Sequence, residues 1–217
     1  MDHYTQPDFS SIALITVDVQ RDFLDGQTFA IPGTSAILPT LQRLLAVFRQ
    51  AGRPIVHMVR LYQRDGSNVD LCRRRLIEEG KRIVRPGNSG CELAGDLLPK
   101  PALRLDANRL LSGGVQLLCP NEVVIYKPRW GAFFNTPLEQ HLRELKVSSL
   151  AITGCNFPNC PRATIYEASE RDFRIVLVED AVSGLYARAK KDLRNIGASL
   201  MRARELESQL VQHTSRG

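Results

Sequence analysis

Residues 12–18 read IALITVD, and this stretch decides the fold class. The run is apolar, rich in β-branched side chains and nearly continuous, which predicts a strand buried on both faces of a sheet. It ends at an acidic residue, Asp18, and turn residues follow at 25–26. Strands of this kind belong to parallel sheets whose two faces are covered by helices.

Five further strand-like runs follow along the chain, and helical patterns separate them. The predicted strands lie at 54–60, 122–127, 149–154, 174–179 and 198–201. Helices are predicted near 41–52, 71–79, 136–146, 161–172 and 186–195, with one more at the C-terminus. This alternation predicts an α/β fold with three layers, α-β-α, around a mostly parallel sheet of about six strands. We find no repeat or linker and expect one domain over 1–217, although 61–121 shows no clear pattern.

The composition excludes several classes of protein. With 43% hydrophobic and 24% charged residues, the 217-residue chain is globular in type. No apolar run approaches the roughly 20 residues of a membrane-spanning helix, and no secretory signal is visible. The net charge of +6 is concentrated in 60–85 and 185–217 without a dense basic block, so nucleic-acid binding is not expected. An anionic substrate or partner stays open. The five cysteines form no CxxC pair, which favours reduced thiols and a cytoplasmic location.

Three chemically active residues stand at or just after the ends of predicted strands: Asp18, Lys127 and Cys160. Ligands of open parallel sheets bind outside the carboxyl ends of the strands. If these strands are neighbours, an acid, a base and a thiol meet in one crevice, as a cysteine hydrolase requires. Taken singly, Asp18 could be a cap, Lys127 an exposed lysine and Cys160 a small buried side chain.

Three segments carry a family resemblance: 14–23 (LITVDVQRDF), 127–133 (KPRWGAF) and 152–160 (ITGCNFPNC). In this order and spacing they resemble the motifs of the isochorismatase-like cysteine hydrolases, which include nicotinamidases, carbamoylsarcosine and ureidoacrylate amidohydrolases, and isochorismatase itself. The resemblance spans about 11–205. It implies an enzyme that needs no cofactor, acts on a small molecule and assembles as a homodimer or homotetramer.

The resemblance also implies roles for individual residues. Asp18, Lys127 and Cys160 match the catalytic triad, and a cis peptide bond is expected between Cys155 and Asn156. The backbone N–H groups of Asn156 and Cys160 are candidates for an oxyanion hole. A helix N-terminus and the Lys127 ammonium are expected to lower the pKa of the Cys160 thiol.

Candidates for substrate contacts lie beside the three motifs and at the end of the second strand. They are Phe23, Trp130, Phe157 and Arg60. Two of the aromatic side chains near the motifs are expected to belong to the core, Phe133 first among them. Arg60 could bind a substrate carboxylate with both guanidinium nitrogens, or it could simply be exposed.

Departures from the family pattern narrow the expected chemistry. The four histidines show no metal-ligand spacing, so no metal is predicted and nicotinamidase activity is disfavoured. True isochorismatases cleave a vinyl ether and lack the nucleophilic cysteine, whereas Cys160 favours a C–N bond in an amide, ureide or carbamoyl compound cleaved through a thioester. The alternatives are an ether- or ester-cleaving hydrolase and a non-catalytic scaffold of the same fold.

Overall fold

The computed structural model describes residues 3–214, except for the side chains of 96 and 214. A sheet of seven strands lies at its centre, in the order β3-β4-β2-β1-β5-β6-β7. The strands are β1 (Ile12–Val17), β2 (Ile55–Val59), β3 (Gln116–Cys119), β4 (Glu122–Tyr126), β5 (Ser149–Gly154), β6 (Arg174–Val182) and β7 (Ser199–Met201). Neighbouring strands run parallel except for β3 and β4. The predicted α/β class and the mostly parallel sheet are confirmed.

The strand β3 is the one that the sequence analysis missed, so the expected count of about six strands was one too low. It pairs antiparallel with β4 at the edge of the sheet, and its Leu117 side chain is 66% exposed. A short edge strand buries little apolar surface and therefore leaves no hydrophobic pattern in the sequence.

Helices cover both faces of the sheet and complete the three layers. They are α1 (Leu38–Gln50), α2 (Leu71–Glu78), α3 (Ala107–Leu111), α4 (Leu138–Glu144), α5 (Cys160–Ser169), α6 (Ala187–Asn195) and α7 (Ala203–Thr214). The helices α1 and α7 pack on one face, and α4, α5 and α6 pack on the other. The strand β1 is buried on both faces, as its sequence predicts, because its side chains enter the two clusters alternately.

The segment 60–115 supplies a third apolar cluster, which lies against the carboxyl ends of β2 and β4. Leu61, Val69, Val84 and Leu93 are its central members. Helix α2, by contrast, contains no buried residue. The segment 60–115, which lies almost entirely within the stretch 61–121 that showed no clear sequence pattern, therefore covers the edge of the sheet where the predicted site lies. Within the described residues, no helix combines the length and the apolar character needed to cross a bilayer.

Candidate active site

The predicted site lies at the carboxyl edge of the sheet, between β1 and β5, where the chain leaves these two strands in opposite directions. The connection from β1 leads to β2 on one side, and β5 continues to β6 on the other, so a crevice opens at their carboxyl ends. Asp18 follows β1 directly, is buried and has a left-handed backbone with φ of 54°. Gly154, with φ of 108°, lets β5 approach β1 closely, because a Cβ atom there would collide with the Val17 carbonyl.

Lys127 reaches Asp18 across an intervening strand. Because β2 lies between β1 and β4, the two backbones are separated by about two strand spacings, roughly 9–10 Å. The long lysine side chain crosses this gap, and its Nζ lies 2.9 Å from Asp18 Oδ2. Lys127 is fully buried, so the exposed alternative is wrong for this residue. The Nζ also donates to the Arg129 carbonyl at 3.2 Å.

Cys160 is the first residue of α5 and is almost fully buried. The turn before it contains the expected cis peptide bond between Cys155 and Asn156. Within residues 3–214, the backbone N–H groups of Asn156 and Cys160 donate to no other backbone group. Both therefore keep a free donor in the turn that carries the thiol.

The electrostatics of Cys160 differ from the sequence prediction. Burial raises the pKa of the thiol, and the nearby Asp18 carboxylate raises it further. The Lys127 and Arg60 cations lower it, but by less. The predicted lowering of the thiol pKa was therefore wrong for the resting site, because the prediction included the cations but not the burial or the carboxylate. A raised pKa favours the neutral form of this thiol, which lies within the field of the Asp18 carboxylate.

Arg60 lies inside the site, so its alternative interpretation as an exposed arginine is wrong. It is 1% exposed, and its Nη2 lies 3.9 Å from Cys160 Sγ. Its Nη1 donates to Asp70 Oδ2 at 2.8 Å, and the Tyr62 hydroxyl donates to the same oxygen at 2.8 Å. Gln20 fixes the Arg60 backbone through both ends of its amide.

The aromatic candidates divide into core and site residues. Phe23 and Phe157 are fully packed in apolar clusters, as is Phe133, which the sequence analysis expected in the core. Trp130 is only half-buried, and the guanidinium carbon of Arg60 lies 5.1 Å from its ring centre. Of the three aromatic substrate candidates, Trp130 is thus the one that contacts a charged side chain beside the thiol.

Metal ligands are not assembled in the part of the chain that the structure describes, where no group of three His, Cys, Asp or Glu side chains could hold an ion. His57 is buried in β2, with its ring nitrogens bonded to Thr16 Oγ1 and Glu122 Oε1 at 2.7 and 2.9 Å. This histidine is therefore a core residue whose two ring nitrogens are both hydrogen-bonded.

Three residues of the site escaped sequence reasoning as functional candidates: Gln20, Asp70 and Arg73. Gln20 lies within the first motif, two positions after Asp18. Its closeness to Asp18 was the only feature of the sequence that could have placed it at the site. Asp70 and Arg73 lie in the segment without a pattern, and only the folded chain brings them to Arg60 and Trp130.

Comparisons with known proteins agree with this geometry. A sequence model of the isochorismatase domain matches residues 12–107 and 111–205. The chain is 28% identical over 205 residues to a probable inactive nicotinamidase of Arabidopsis thaliana, covering 92% of this chain and 96% of that protein. It is 26% identical over 187 residues to the ureidoacrylate amidohydrolase RutB of Methylobacterium radiotolerans, covering 77% and 65% of the two chains.

Solved structures give the same answer. An isochorismatase family protein of Desulfovibrio vulgaris superposes with a TM-score of 0.78 at 29% identity, covering 93% of this chain and 98% of that one. The matched sequence segments include all three motifs at the carboxyl edge of the sheet. The chain belongs to the isochorismatase family.

Proposed function

We propose that this protein is a cysteine hydrolase that cleaves a C–N bond of a small amide, ureide or carbamoyl compound through a thioester intermediate. One observation carries the proposal: a buried thiol, Cys160, lies under the combined field of the Asp18 carboxylate and the Lys127 ammonium, which are themselves 2.9 Å apart. A carboxylate that can take the thiol proton, held by a cation, is the arrangement that nucleophilic catalysis by cysteine needs.

The first half of the reaction transfers the acyl group to the sulfur. Asp18 accepts the thiol proton as Cys160 Sγ attacks the carbonyl carbon, and Lys127 balances the negative charge on the carboxylate and the sulfur. The free N–H groups of Asn156 and Cys160 stabilise the oxyanion of the tetrahedral intermediate. Asp18 then gives its proton to the leaving nitrogen, the C–N bond breaks, and the amine departs.

The second half regenerates the thiol. Water attacks the thioester carbonyl while Asp18 accepts one of its protons, and the same N–H groups again hold the oxyanion. The C–S bond breaks, the sulfur recovers its proton from Asp18, and the acid or carbamate leaves. One carboxylate thus acts alternately as base and acid, which its free Oδ1 allows because this buried atom has no hydrogen-bond partner within the described residues.

The relatives support the class of bond. One is named for ureidoacrylate hydrolysis and another, from Arthrobacter sp, is named N-carbamoylsarcosine amidase. The relative named probably inactive favours the scaffold alternative, whereas the ion pair of Asp18 with Lys127 and its electrostatic effect on the Cys160 thiol favour an enzyme. We further propose a single domain, a cytoplasmic location, assembly as a homodimer or homotetramer, and catalysis without a cofactor or metal.

The decisive test combines turnover with detection of the intermediate. The protein is incubated with a panel of amides and ureides, quenched in acid and analysed by intact-mass and peptide mass spectrometry. We expect release of amine or ammonia and an acyl adduct on Cys160. The Cys160→Ala variant should lose both, while the control Cys72→Ala, at an exposed cysteine, should keep both. Amine release that survives Cys160→Ala would refute the thioester mechanism, and inactivity across the panel would favour the two alternatives, ether or ester cleavage and the scaffold.

A further inference from the structure

Arg60 places a guanidinium group directly against the nucleophile. Of its nitrogens, Nη1 is bonded to Asp70 Oδ2 and to the Pro128 carbonyl, at 2.8 and 3.2 Å. Nη2 lies 3.9 Å from Cys160 Sγ. The third nitrogen, Nε, is buried and has no hydrogen-bond partner in the described part of the chain. A buried donor without an acceptor is costly, so its site is suited to a ligand that brings one.

A second guanidinium stands beside the first. The guanidinium carbons of Arg60 and Arg73 lie 5.1 and 5.3 Å from the ring centre of Trp130. Arg73 Nη1 donates to the Tyr62 hydroxyl at 3.2 Å, and that hydroxyl in turn donates to Asp70. Stacking on the indole and this hydrogen-bond chain hold both arginines in place next to the thiol.

The charges of the site do not cancel. Lys127 is balanced by Asp18, and Arg60 by Asp70. Among residues 3–214, Arg73 forms no ion pair with a carboxylate, so one positive charge is left over beside the nucleophile. Because the site is largely closed to solvent, this charge is weakly screened and attracts an anionic group.

We propose that Arg60 and Arg73 form an anion subsite, so that the substrate is an amide, ureide or carbamoyl compound that carries a carboxylate close to its scissile carbonyl. The substrate class rests on the proposed hydrolase function, whereas the subsite itself does not. The short distance from Arg60 Nη2 to the sulfur requires the anionic group to be near the carbon under attack. Such a carboxylate would accept from the free Nε of Arg60 and pair with Arg73.

Alkylation of Cys160 tests the subsite without any turnover. Iodoacetate and iodoacetamide both form an S–C bond and release iodide, and they differ in carrying a carboxylate or a neutral amide. The rate ratio of iodoacetate to iodoacetamide is measured at Cys160 by peptide mass spectrometry and compared with the ratio for N-acetylcysteine. We expect the protein ratio to exceed the reference ratio by about tenfold or more.

Three variants of α2 make this comparison specific. Arg73→Ala should lower the ratio at Cys160 several-fold and Arg73→Lys should retain part of it. Arg75→Ala removes the same charge from the outer side of the helix, where Arg75 pairs with the exposed Glu79, and should leave the ratio unchanged. A wild-type ratio equal to that of N-acetylcysteine would overturn the subsite. So would an Arg73→Ala variant in which both reagents slow equally, because Arg73 would then act on the thiolate alone.

Hydrolysis of malonamate against its methyl ester tests the substrate class. We expect the release of ammonia from malonamate to have a kcat/KM at least tenfold above that from the ester, and Arg73→Ala to remove this preference. Equal rates would overturn the substrate class. A raised alkylation ratio in a protein that hydrolyses no amide would refute the proposed function and retain the subsite, so the two failures are distinguishable.

Discussion

Two clusters of buried charged and polar side chains lie on the same strands and differ in one respect. The proposed catalytic cluster stands at the carboxyl edge of the sheet and consists of Asp18, Lys127, Cys160, Arg60 and Asp70. The Glu122 cluster lies on the face covered by α1 and consists of Thr16, His57, Glu122 and Arg49. In the catalytic cluster, three buried atoms lack a hydrogen-bond partner within the described chain: Asp18 Oδ1, Arg60 Nε and Asp70 Oδ1. The members of the Glu122 cluster have no such atom.

The difference separates a structural role from a chemical one. In a saturated cluster every buried polar atom already has a hydrogen-bond partner. Such a cluster has no donor or acceptor left for a ligand, and its hydrogen bonds fix the packing around it. An unsaturated cluster keeps acceptors and donors that are available to a ligand. Substitutions in the Glu122 cluster should therefore affect stability, and substitutions in the catalytic cluster should affect turnover.

The largest expected effect comes from removing the catalytic ion pair as a unit. The double variant Asp18→Asn/Lys127→Met should lose about 10⁴-fold in kcat, because it has neither a proton acceptor nor its counter-cation. Its free energy of unfolding should stay within about 1 kcal/mol of the wild type, since no buried charge is left unpaired. Steady-state kinetics and urea unfolding measure the two quantities. A double variant that fails to fold would place this pair with the Glu122 cluster as a structural element.

The Glu122 cluster should give the opposite result. Glu122→Gln breaks a buried, bidentate pair with Arg49 and should lower the free energy of unfolding by about 3 kcal/mol. The kcat/KM of the folded variant should change less than about twofold, because Glu122 contacts no catalytic residue. Glu79→Gln is the matched control at an exposed pair, with no measurable effect on either quantity. A Glu122→Gln variant that loses turnover without losing stability would contradict the division into a structural cluster and a catalytic cluster.

Acid should weaken the Glu122 cluster by protonating its carboxylate. Burial alone raises the pKa of Glu122, but hydrogen bonds from Arg49 and His57 outweigh it and hold the pKa at about 2, below the ordinary value of 4.5. A carboxylate with a lowered folded-state pKa stabilises the fold above pH 4.5, and this contribution is lost as the pH falls towards 2. The contribution is about 3 kcal/mol. Between pH 5 and pH 2, the free energy of unfolding should therefore fall less steeply for Glu122→Gln than for the wild type. The same pH dependence in both proteins would exclude this role of Glu122.

The smallest effects concern the thiol itself, and they should have opposite signs. The Asp18 carboxylate raises the pKa of Cys160, so Asp18→Asn should speed alkylation by iodoacetamide near pH 8 several-fold, although hydrolysis is lost. The Lys127 ammonium lowers that pKa, so Lys127→Met should slow the same alkylation. The pH profile of labelling at Cys160, followed by mass spectrometry, measures both shifts. Equal shifts in one direction would mean that the two charges do not act on the sulfur separately.

Sequence reasoning recovered the parts of the molecule that follow from local pattern. The apolar runs located six strands, and the three motifs brought Asp18, Lys127 and Cys160 to one edge before the fold was known. The edge strand β3 was missed because it is four residues long and only one of them, Leu118, is buried, so no alternating pattern marks it. The direction of the thiol pKa was missed because it depends on burial, which no motif encodes.

The residues around Arg60 show the limit of local pattern most clearly. Asp70 and Arg73 have ordinary polar surroundings in the sequence, and their partners are found only after the segment 60–115 folds over the sheet. Gln20, which holds the Arg60 backbone, lies within the first motif, but the motif does not predict this contact. The motifs therefore predict the triad residues, whereas the positions of Asp70 and Arg73 in the site follow only from the folded chain.

Helix α2 contains no buried residue, yet it carries Arg73 to the edge of the site. Its side chains can therefore be exchanged at little cost to the core, while the proposed triad, which follows β1 and β4 and begins α5, stays fixed. One arginine of the proposed anion subsite is thus carried by a part of the chain that the proposed triad does not use. A protein built in this way can acquire a new substrate by changing one surface helix, and α2 is the place to begin when redesigning it.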